Sequence, residues 1–295
     1  MSSSPLAVAY ARLLANPDSP PAKQGWLDAL PLTGRAAVTE PVPPAQRRAL
    51  SVVICSIDDA RYAAAAASYG RALADWPHEI VRIGDARSLA DGYTRGLART
   101  QGEVVAFSHD DVAILPADFG HRLAQALAAA DIVGVAGASR VAGPAWPHAG
   151  HPYLHGCVVY PDGDGYRVSV YSRQVPIATG IRVLDGVLLA MPRDVAAAVG
   201  WDETTCPGFH GYDVDFSVRA THAGLRLAVA SNLGVVHRSL GGFGPEWQAA
   251  AERLVARHPE LGGSRSPDTY FHARRVPDAA AALALIDGWS ARTPS

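Results

Sequence analysis

Two adjacent carboxylates, Asp110 and Asp111, follow the apolar run "EVVAF" in the stretch "FSHDDVAI". Neighbouring negative charges repel each other unless a cation or hydrogen-bond donors occupy the space between them. A divalent metal that carries substrate phosphates would do so, because Mg²⁺ is typically held by one or two carboxylates plus phosphate oxygens. The alternative is a solvated turn or helix cap, where Asp is common. The stretch therefore indicates either a metal-phosphate site or a polar end to a strand.

A second group of carboxylates is suited to accepting a proton. Asp213 and Asp215 open a predicted helix in "YDVDFSVRATHAGLRL", so the positive end of the helix dipole should keep Asp213 ionised at neutral pH. An ionised carboxylate beside a reaction centre can take the proton of an attacking hydroxyl. Asp185 in "VLDGV" also lies near a strand end, beside a glycine that lets a ligand approach closely. Asp213 and Asp185 are therefore rival candidates for the base, and Asp213 can alternatively be an ordinary helix-start carboxylate.

Histidines offer further metal ligands. His237 ends the apolar run "GVVHRS", where an imidazole could complete a metal site with Asp111 or simply be structural. The stretch "PHAGHPYLHG" supplies His148, His151 and His155, which raises the question of zinc. No cysteine pair or His-Glu helix accompanies these three histidines, so a loop that covers a donor or faces an acceptor is the simpler interpretation.

The elements that must position these residues alternate between strand and helix. Continuous β-branched runs such as "LSVVICSI" are typical of strands covered on both faces. Strict alternation predicts right-handed βαβ units and a mostly parallel sheet with helices on both faces. The predicted strands of this first half are "LSVVICSI", "HEIVRIG", "EVVAFSH" and "DIVGVAGA". Ligands of such α/β sheets bind beyond the carboxyl ends of the strands, which is where Asp110 and Asp111 lie.

Changes in composition predict three parts of the chain. Residues 1–48 form an irregular Pro/Ala-rich arm with "SPP" and "EPVPP", and prolines of this kind interrupt regular structure. Residues 49–242 hold the predicted α/β domain, which includes a Gly-, Pro- and His-rich insertion between 139 and 180. Residues 243–295 form a C-terminal helical extension, predicted from "PEWQAAAERLVARH" and "DAAAALALIDGW".

Composition narrows the class of protein. The chain has 295 residues, 48% of them hydrophobic, and a formal net charge of −2, which argues against a broad nucleic-acid surface. Its three cysteines are far apart in the sequence, as expected for reduced thiols of a cytoplasmic protein. We find no secretory signal and no apolar stretch of the roughly 20 residues that cross a bilayer. The sequence does not predict the oligomeric state.

Four ordered stretches carry a family resemblance. They are "SLADGYTRGLARTQGEVVAFSHDDV", "VLDGVLLAMPRDV", "GFHGYDVDFSVRATHAGLRLAV" and "GVVHRSLGGF". Together they resemble the nucleotide-sugar-dependent glycosyltransferases of GT-A fold and family-2 type, and most closely the streptomycin-biosynthesis-type branch with its His-Asp-Asp segment. The resemblance spans residues 51–242 and implies a Rossmann-like GT-A fold.

The resemblance also implies roles for individual residues. Asp110 and Asp111 match the Asp-x-Asp motif, whose first carboxylate usually lies near the ribose and whose last usually binds Mn²⁺ or Mg²⁺. Asp213 matches the usual general base, and His237 matches a histidine that often coordinates the metal. The region that usually holds the nucleotide base is matched by Cys55, Ser56, Ile57, Asp58 and Asp85.

Three positions depart from the family pattern. Tyr212 stands where relatives usually carry Glu before the base. Thr94 stands where they usually carry Asn, and His109 replaces an acidic residue. The changes at Tyr212 and His109 bear on the detailed roles of the motifs that contain them.

The predicted function is a metal-dependent, inverting, hexosyltransferase-like glycosyltransferase. It would move a sugar from a UDP-, dTDP- or GDP-sugar to an acceptor hydroxyl, and the motifs specify neither sugar nor acceptor. Two alternatives stay open at this point: a metal-dependent hydrolase that uses the His-rich loop, and a non-catalytic nucleotide-sugar-binding protein. A nucleotidyltransferase is disfavoured, because no Gly-rich phosphate loop with a following Lys lies near the first strand.

Overall fold

The computed structural model describes residues 40–171, 175–263 and 272–290, together with residues 8, 11, 12, 15, 16, 19 and 22. Most of the predicted arm 1–48 lies outside these residues. No helix among the described residues has the length and apolar character needed to span a bilayer.

The described chain alternates strands and helices. The strands are β1 (Leu50–Cys55), β2 (His78–Ile83), β3 (Val104–Ser108), β4 (Val112–Ile114), β5 (Ile132–Gly134), β6 (Ala136–Ala138), β7 (Leu154–Asp162), β8 (Gly165–Val170), β9 (Ile177–Ile181), β10 (Val183–Leu184), β11 (Leu188–Pro192), β12 (Leu227–Ala230), β13 (Val235–His237) and β14 (His272–Val276). The helices are α1 (Asp59–Ala72), α2 (Leu89–Leu97), α3 (Phe119–Ala129), α4 (Arg193–Val199), α5 (Tyr212–His222), α6 (Pro245–Arg257) and α7 (Ala279–Ser290).

The central sheet is mixed, which corrects the prediction of a mostly parallel sheet. Its seven strands follow the order β2-β1-β3-β11-β5-β12-β9. Strand β1 pairs in parallel with β2 and β3, and β5 pairs in parallel with β12. Strand β11, however, inserts antiparallel between β3 and β5, and β9 pairs antiparallel with β12. A buried apolar run specifies a strand but not its direction, so the sequence pattern did not reveal the reversed strand.

Helices cover both faces of this sheet, as predicted. Helix α2 packs on one face, where a Cβ on Gly96 would lie 2.3 Å from Val53 Cγ1, so only glycine permits this approach. On the opposite face, the Tyr69 hydroxyl of α1 donates a hydrogen bond to Ser108 Oγ of β3 at 2.8 Å. The ends of the first strands are therefore held rigidly between two helical layers.

A second sheet brings His237, the last predicted site residue in the chain, close to Asp111. Its main path is β10-β6-β7-β13-β4, and β8 and β14 extend it from β7. Strand β13 pairs antiparallel with β4, which places His237 opposite Val112. The register therefore puts His237 beside Asp111, the residue before Val112.

The C-terminal segment contributes more than helices. Strand β14 pairs antiparallel with β8, a pairing that the sequence analysis did not predict. Asp287 of α7 forms a buried ion pair with Arg122 of α3. This segment therefore packs against the α/β unit through both a strand and a charged contact.

Candidate active site

A cleft of about 470 Å³ gathers most of the predicted chemistry. It lies beyond the carboxyl end of β3 and is lined by His109, Asp185, Asp213 and His237. Aromatic side chains form much of its remaining wall, among them Trp146, Tyr160, Tyr171, Phe209, Phe243 and Trp247. The two rival candidates for the base thus share one cleft with the predicted metal ligand His237.

Two side chains that line this cleft, His109 and His237, and the adjoining Asp111 are placed to hold a metal ion. One ligand atom from each of His109, Asp111 and His237 lies within 4.8 Å of the others. His237 Nε2 is 3.3 Å from Asp111 Oδ1 and 3.3 Å from His109 Nδ1. Two imidazole nitrogens and a carboxylate form a donor set that suits a divalent transition metal. Sequence analysis named Asp111 and His237 as ligands but not His109.

The surroundings of Asp111 favour its charged form. Burial alone would raise the pKa of this carboxyl, but hydrogen bonding to His237, the charge of His237 and the backbone N–H of Ser239 at 3.0 Å outweigh it. The net result is a pKa well below the usual range of aspartate. Asp111 is therefore a fixed anion at neutral pH, as a metal ligand requires.

Asp110 connects the metal group to the end of β1. Ser56, the residue after β1, donates a hydrogen bond from Oγ to Asp110 Oδ2 at 2.7 Å. Ser56 is 5% exposed, so this contact is protected from water. Asp110 thus faces the predicted nucleotide side, whereas Asp111 faces His237.

The other residues predicted to hold a nucleotide base lie along the ends of β1 and β2. Cys55 is half-buried, and burial, with a contribution from the charge of Asp91, raises its pKa to about 12, so it stays a neutral thiol. Ile57 is 83% exposed. Asp58 accepts hydrogen bonds from the first N–H groups of α1 and acts as its cap. Asp85 is exposed and pairs with Arg95.

The environment of Asp213 gives this carboxyl a pKa that suits proton transfer near neutral pH. Burial and the charge of Asp185 raise its pKa to about 7, against the effect of backbone N–H donors at the start of α5. A further backbone donor, the N–H of Gly186 in the turn before β11, lies 3.0 Å from Asp213 Oδ2 and also lowers the pKa. The helix start favours the ionised form of Asp213, as the sequence argument expected, but desolvation outweighs this effect and the pKa lies above that of an ordinary aspartate.

Asp185 is held by donors on both oxygens. The indole Nε1–H of Trp146 lies 2.6 Å from Oδ2, and the N–H of Val187 lies 2.9 Å from Oδ1. Trp146 in turn packs edge-on against Tyr171, with ring centroids 4.9 Å apart. Asp185 is thus fixed in place, with part of its hydrogen-bonding capacity already used by the protein.

Tyr212 links the metal group to the loop that carries Asp185. Its hydroxyl lies 2.7 Å from His109 Nε2 and 3.1 Å from the carbonyl oxygen of Gly186. Sequence analysis identified Tyr212 and His109 as departures from the family pattern but did not predict that they touch. The only sign of this contact in the sequence is that two separate motifs each depart from the family pattern, at His109 and at Tyr212.

The histidines of the loop "PHAGHPYLHG" take other partners. His155 Nε2 lies 2.9 Å from Ser139 Oγ, and the ring of His148 stacks on Phe243 with centroids 6.4 Å apart. Within the described residues, the side chains with metal-binding geometry are His109, Asp111 and His237, none of which belongs to this loop. Its neighbour Trp146 contacts the candidate base Asp185.

Comparison with known proteins identifies one family. A profile described as "Glycosyltransferase like family" matches residues 51–240. No curated protein matches the chain.

Solved structures resemble the chain at low identity. Mannosyltransferase PcManGT from Pyrobaculum calidifontis, solved with GDP-Man and Mn²⁺, is 14% identical with a TM-score of 0.42, over 95% of this chain and 86% of that one. GalNAc-T7 with UDP, GalNAc and Mn²⁺ is 13% identical with a TM-score of 0.44, over 71% and 48%. A Drosophila galactosyltransferase 7 mutant with manganese, UDP-Gal and xylobiose is 13% identical with a TM-score of 0.40, over 68% and 79%.

Proposed function

Because the chain belongs to the glycosyltransferase-like family, whose profile spans residues 51–240, we propose that it transfers a sugar from a nucleotide-sugar donor to an acceptor hydroxyl. The reaction is metal-dependent and inverts the anomeric carbon. One observation carries the proposal: a carboxylate with a pKa of about 7, Asp213, lines the same cleft as His109 and His237, which form the candidate metal-binding group with Asp111. We assign the chain to the His-Asp-Asp, streptomycin-biosynthesis-type branch on its "SHDDV" segment.

The donor nucleotide binds along the ends of β1 and β2 in this proposal. Ser56 and Asp110 face the ribose, since their side chains are already joined by a hydrogen bond of 2.7 Å. Cys55, Ile57 and Asp85 border the base, and Asp58 shapes the same edge by capping α1. The donor is a UDP-, dTDP- or GDP-sugar.

Asp111 and His237, joined by His109, hold Mn²⁺ or Mg²⁺. The donor atoms fit such an ion, because the three ligand atoms converge and Asp111 is kept as an anion. When bound, the ion stabilises the negative charge that develops on the departing diphosphate. The protein's own part is to hold this ligand set beside Asp110.

Asp213 takes the proton of the acceptor hydroxyl. A general base works best when its pKa lies near the working pH, and burial beside Asp185 brings the pKa of Asp213 to about 7. The Gly186 N–H donates to Oδ2 and helps to hold the carboxylate in place. Asp185, fixed by Trp146, positions the acceptor. Attack in line with the departing diphosphate then gives inversion.

We propose that residues 49–242 form the catalytic unit and that 243–295 extend it. The extension is joined by the pairing of β14 with β8 and by the ion pair between Arg122 and Asp287. We also propose a cytoplasmic location, which the three free cysteines support.

The test is a panel of nucleotide sugars incubated with the full chain, with Mn²⁺ or with a chelator. We expect transfer or slow donor hydrolysis with at least one donor, loss of turnover with chelator, and recovery on adding Mn²⁺. The anomeric configuration of the product, read by NMR, should be opposite to that of the donor. Retained configuration would contradict Asp213 as the base. Release of phosphate from simple sugar phosphates would favour the hydrolase, and donor binding without turnover would favour a non-catalytic protein.

A further inference from the structure

The hydroxyl of Tyr212 makes two hydrogen-bond contacts whose directions constrain each other. It lies 2.7 Å from His109 Nε2 and 3.1 Å from the backbone oxygen of Gly186. Tyr212 is 4% exposed, so these contacts are made in a site where unsatisfied polar groups are costly.

The number of hydrogens decides the direction of each contact. A phenol has one hydrogen to donate and can accept in return, whereas a carbonyl oxygen can only accept. Both contacts form together only when Tyr212 donates to Gly186 and accepts from His109. His109 must then carry its hydrogen on Nε2.

This arrangement leaves the other nitrogen of His109 available. A neutral imidazole carries its single hydrogen on one of its two nitrogens. In a neutral imidazole with its hydrogen on Nε2, Nδ1 presents a bare lone pair. His109 Nδ1 lies 3.3 Å from His237 Nε2, which is a separation that a shared cation can bridge.

We propose that Tyr212 is a positioning residue that fixes the tautomer of His109, so that Nδ1 becomes the third ligand of the metal. The inference rests on the proposed metal site but not on the transfer reaction. A hydrogen bond on the second nitrogen commonly fixes the orientation of a metal-binding histidine. Two imidazoles also bias the site toward transition metals, because Mg²⁺ prefers oxygen ligands. The site should therefore prefer Mn²⁺ to Mg²⁺.

The first experiment reads the tautomer directly in the parent protein. Long-range proton-nitrogen NMR of ¹⁵N-histidine-labelled chain, with His109 assigned through a His109→Gln variant, distinguishes the two neutral forms. We expect the Nε2–H form in the metal-free protein and loss of that preference in Tyr212→Phe, which keeps the ring and removes the hydroxyl. An Nδ1–H form in the parent would overturn the proposal without any variant.

The second experiment titrates the metal alone by calorimetry, without nucleotide sugar. Tyr212→Phe should weaken Mn²⁺ binding by about 10- to 100-fold, as expected for loss of a partner behind a ligand. The matched control is Tyr160→Phe, since Tyr160 lines the same cleft with its ring 6.1 Å from that of His237 and its hydroxyl is paired with Tyr171. Equal effects of both variants would contradict a specific role for Tyr212.

A third variant tests the ligand itself. His109→Asp replaces an imidazole by a carboxylate, so the ratio of Mn²⁺ to Mg²⁺ affinity should fall. An unchanged ratio would show that His109 does not contact the metal. These experiments measure metal binding without a sugar donor. The role of Tyr212 can therefore be refuted in a protein that still transfers sugar, or supported in a protein that transfers none.

Discussion

One pair of aspartates lines the cleft and a second pair lies beside it, and the two pairs have opposite electrostatic environments. Asp111, beside Asp110, accepts hydrogen bonds from His237 and Ser239, and its pKa is lowered. Asp213, close to Asp185, is desolvated next to a second negative charge, and its pKa is raised to about 7. The two pairs therefore differ in neighbours rather than in residue type. When different environments give two carboxyl groups different pKa values, one group can remain a charged ligand while the other accepts and releases a proton.

The largest effect that we expect comes from removing Asp111 from the first pair of aspartates. Asp111→Ala should abolish metal-dependent binding of a nucleoside diphosphate, because it removes the anionic ligand beside His237. Calorimetry with UDP and GDP, with and without Mn²⁺, measures the loss. Asp194→Ala is the control, since Asp194 is an exposed aspartate in the first turn of α4. Unchanged metal-dependent affinity in Asp111→Ala would remove Asp111 from the metal site.

The next largest effect should come from replacing Asp213 in the second pair of aspartates. Asp213→Asn keeps the size of the side chain but removes the proton acceptor, so transfer should fall by roughly the 10²- to 10⁴-fold that general-base catalysis contributes. Donor affinity should barely change. Steady-state kinetics on the two substrates separates these effects.

Asp185→Asn is the matched comparison for that result. If Asp185 positions the acceptor, its amide variant should raise the acceptor KM more than it lowers kcat. The opposite outcome, with Asp185→Asn inactive and Asp213→Asn nearly as active as the parent, would exchange the two roles.

The raised pKa of Asp213 also predicts how rate depends on pH. A base must be deprotonated to act, so kcat/KM should rise with pH and level off above about 7, the pKa that burial and Asp185 give this carboxyl. Asp213→Asn should lose this rise. A parent profile of kcat/KM that stays flat from about pH 5 to about pH 8, a range that includes the expected pKa, would contradict the assignment.

The same shift has a consequence for stability. A carboxyl whose folded pKa lies above its unfolded value of about 4 stabilises the fold at low pH. That contribution is lost as pH rises through the folded pKa of about 7. Thermal unfolding should therefore show Asp213→Asn to be at least as stable as the parent at alkaline pH. A clear loss of stability there would mean that the ionised carboxylate supports the fold.

Local patterns predicted the elements that position the site. The apolar runs predicted as the first and third strands form β1 and β3. The apolar pattern of "IRVLDGVLLAM" is typical of one strand, but the stretch divides into β10 and β11 around a turn at Asp185. The division depends on pairing with β6 on one side and β3 on the other, which the local sequence does not record.

Distance along the chain explains what was missed in the site. Asp111 and His237 were expected to meet, and the pairing of β4 with β13 brings them to 3.3 Å. The contact of His109 with Tyr212 joins residues 103 positions apart. No periodicity or spacing reports such a contact, because it depends on how two strand ends and a helix start pack together.

The smallest expected effect sharpens the difference between Asp185 and Asp213. Trp146→Phe keeps an aromatic ring against Tyr171 but removes the indole N–H that lies 2.6 Å from Asp185 Oδ2. The Val187 N–H still binds Oδ1, so Asp185 should lose position rather than function. We expect kcat/KM for the acceptor to fall by roughly fivefold, the equivalent of the ~1 kcal/mol that one hydrogen bond contributes.

Trp247→Phe is the matched control, because Trp247 lines the same cleft and packs edge-on against Phe243. It should change acceptor kinetics less than Trp146→Phe if the bond to Asp185 is what matters. Should Trp146→Phe instead lower kcat as far as Asp213→Asn does, Asp185 would be acting in the chemical step. The division of labour between the two aspartates would then be reversed.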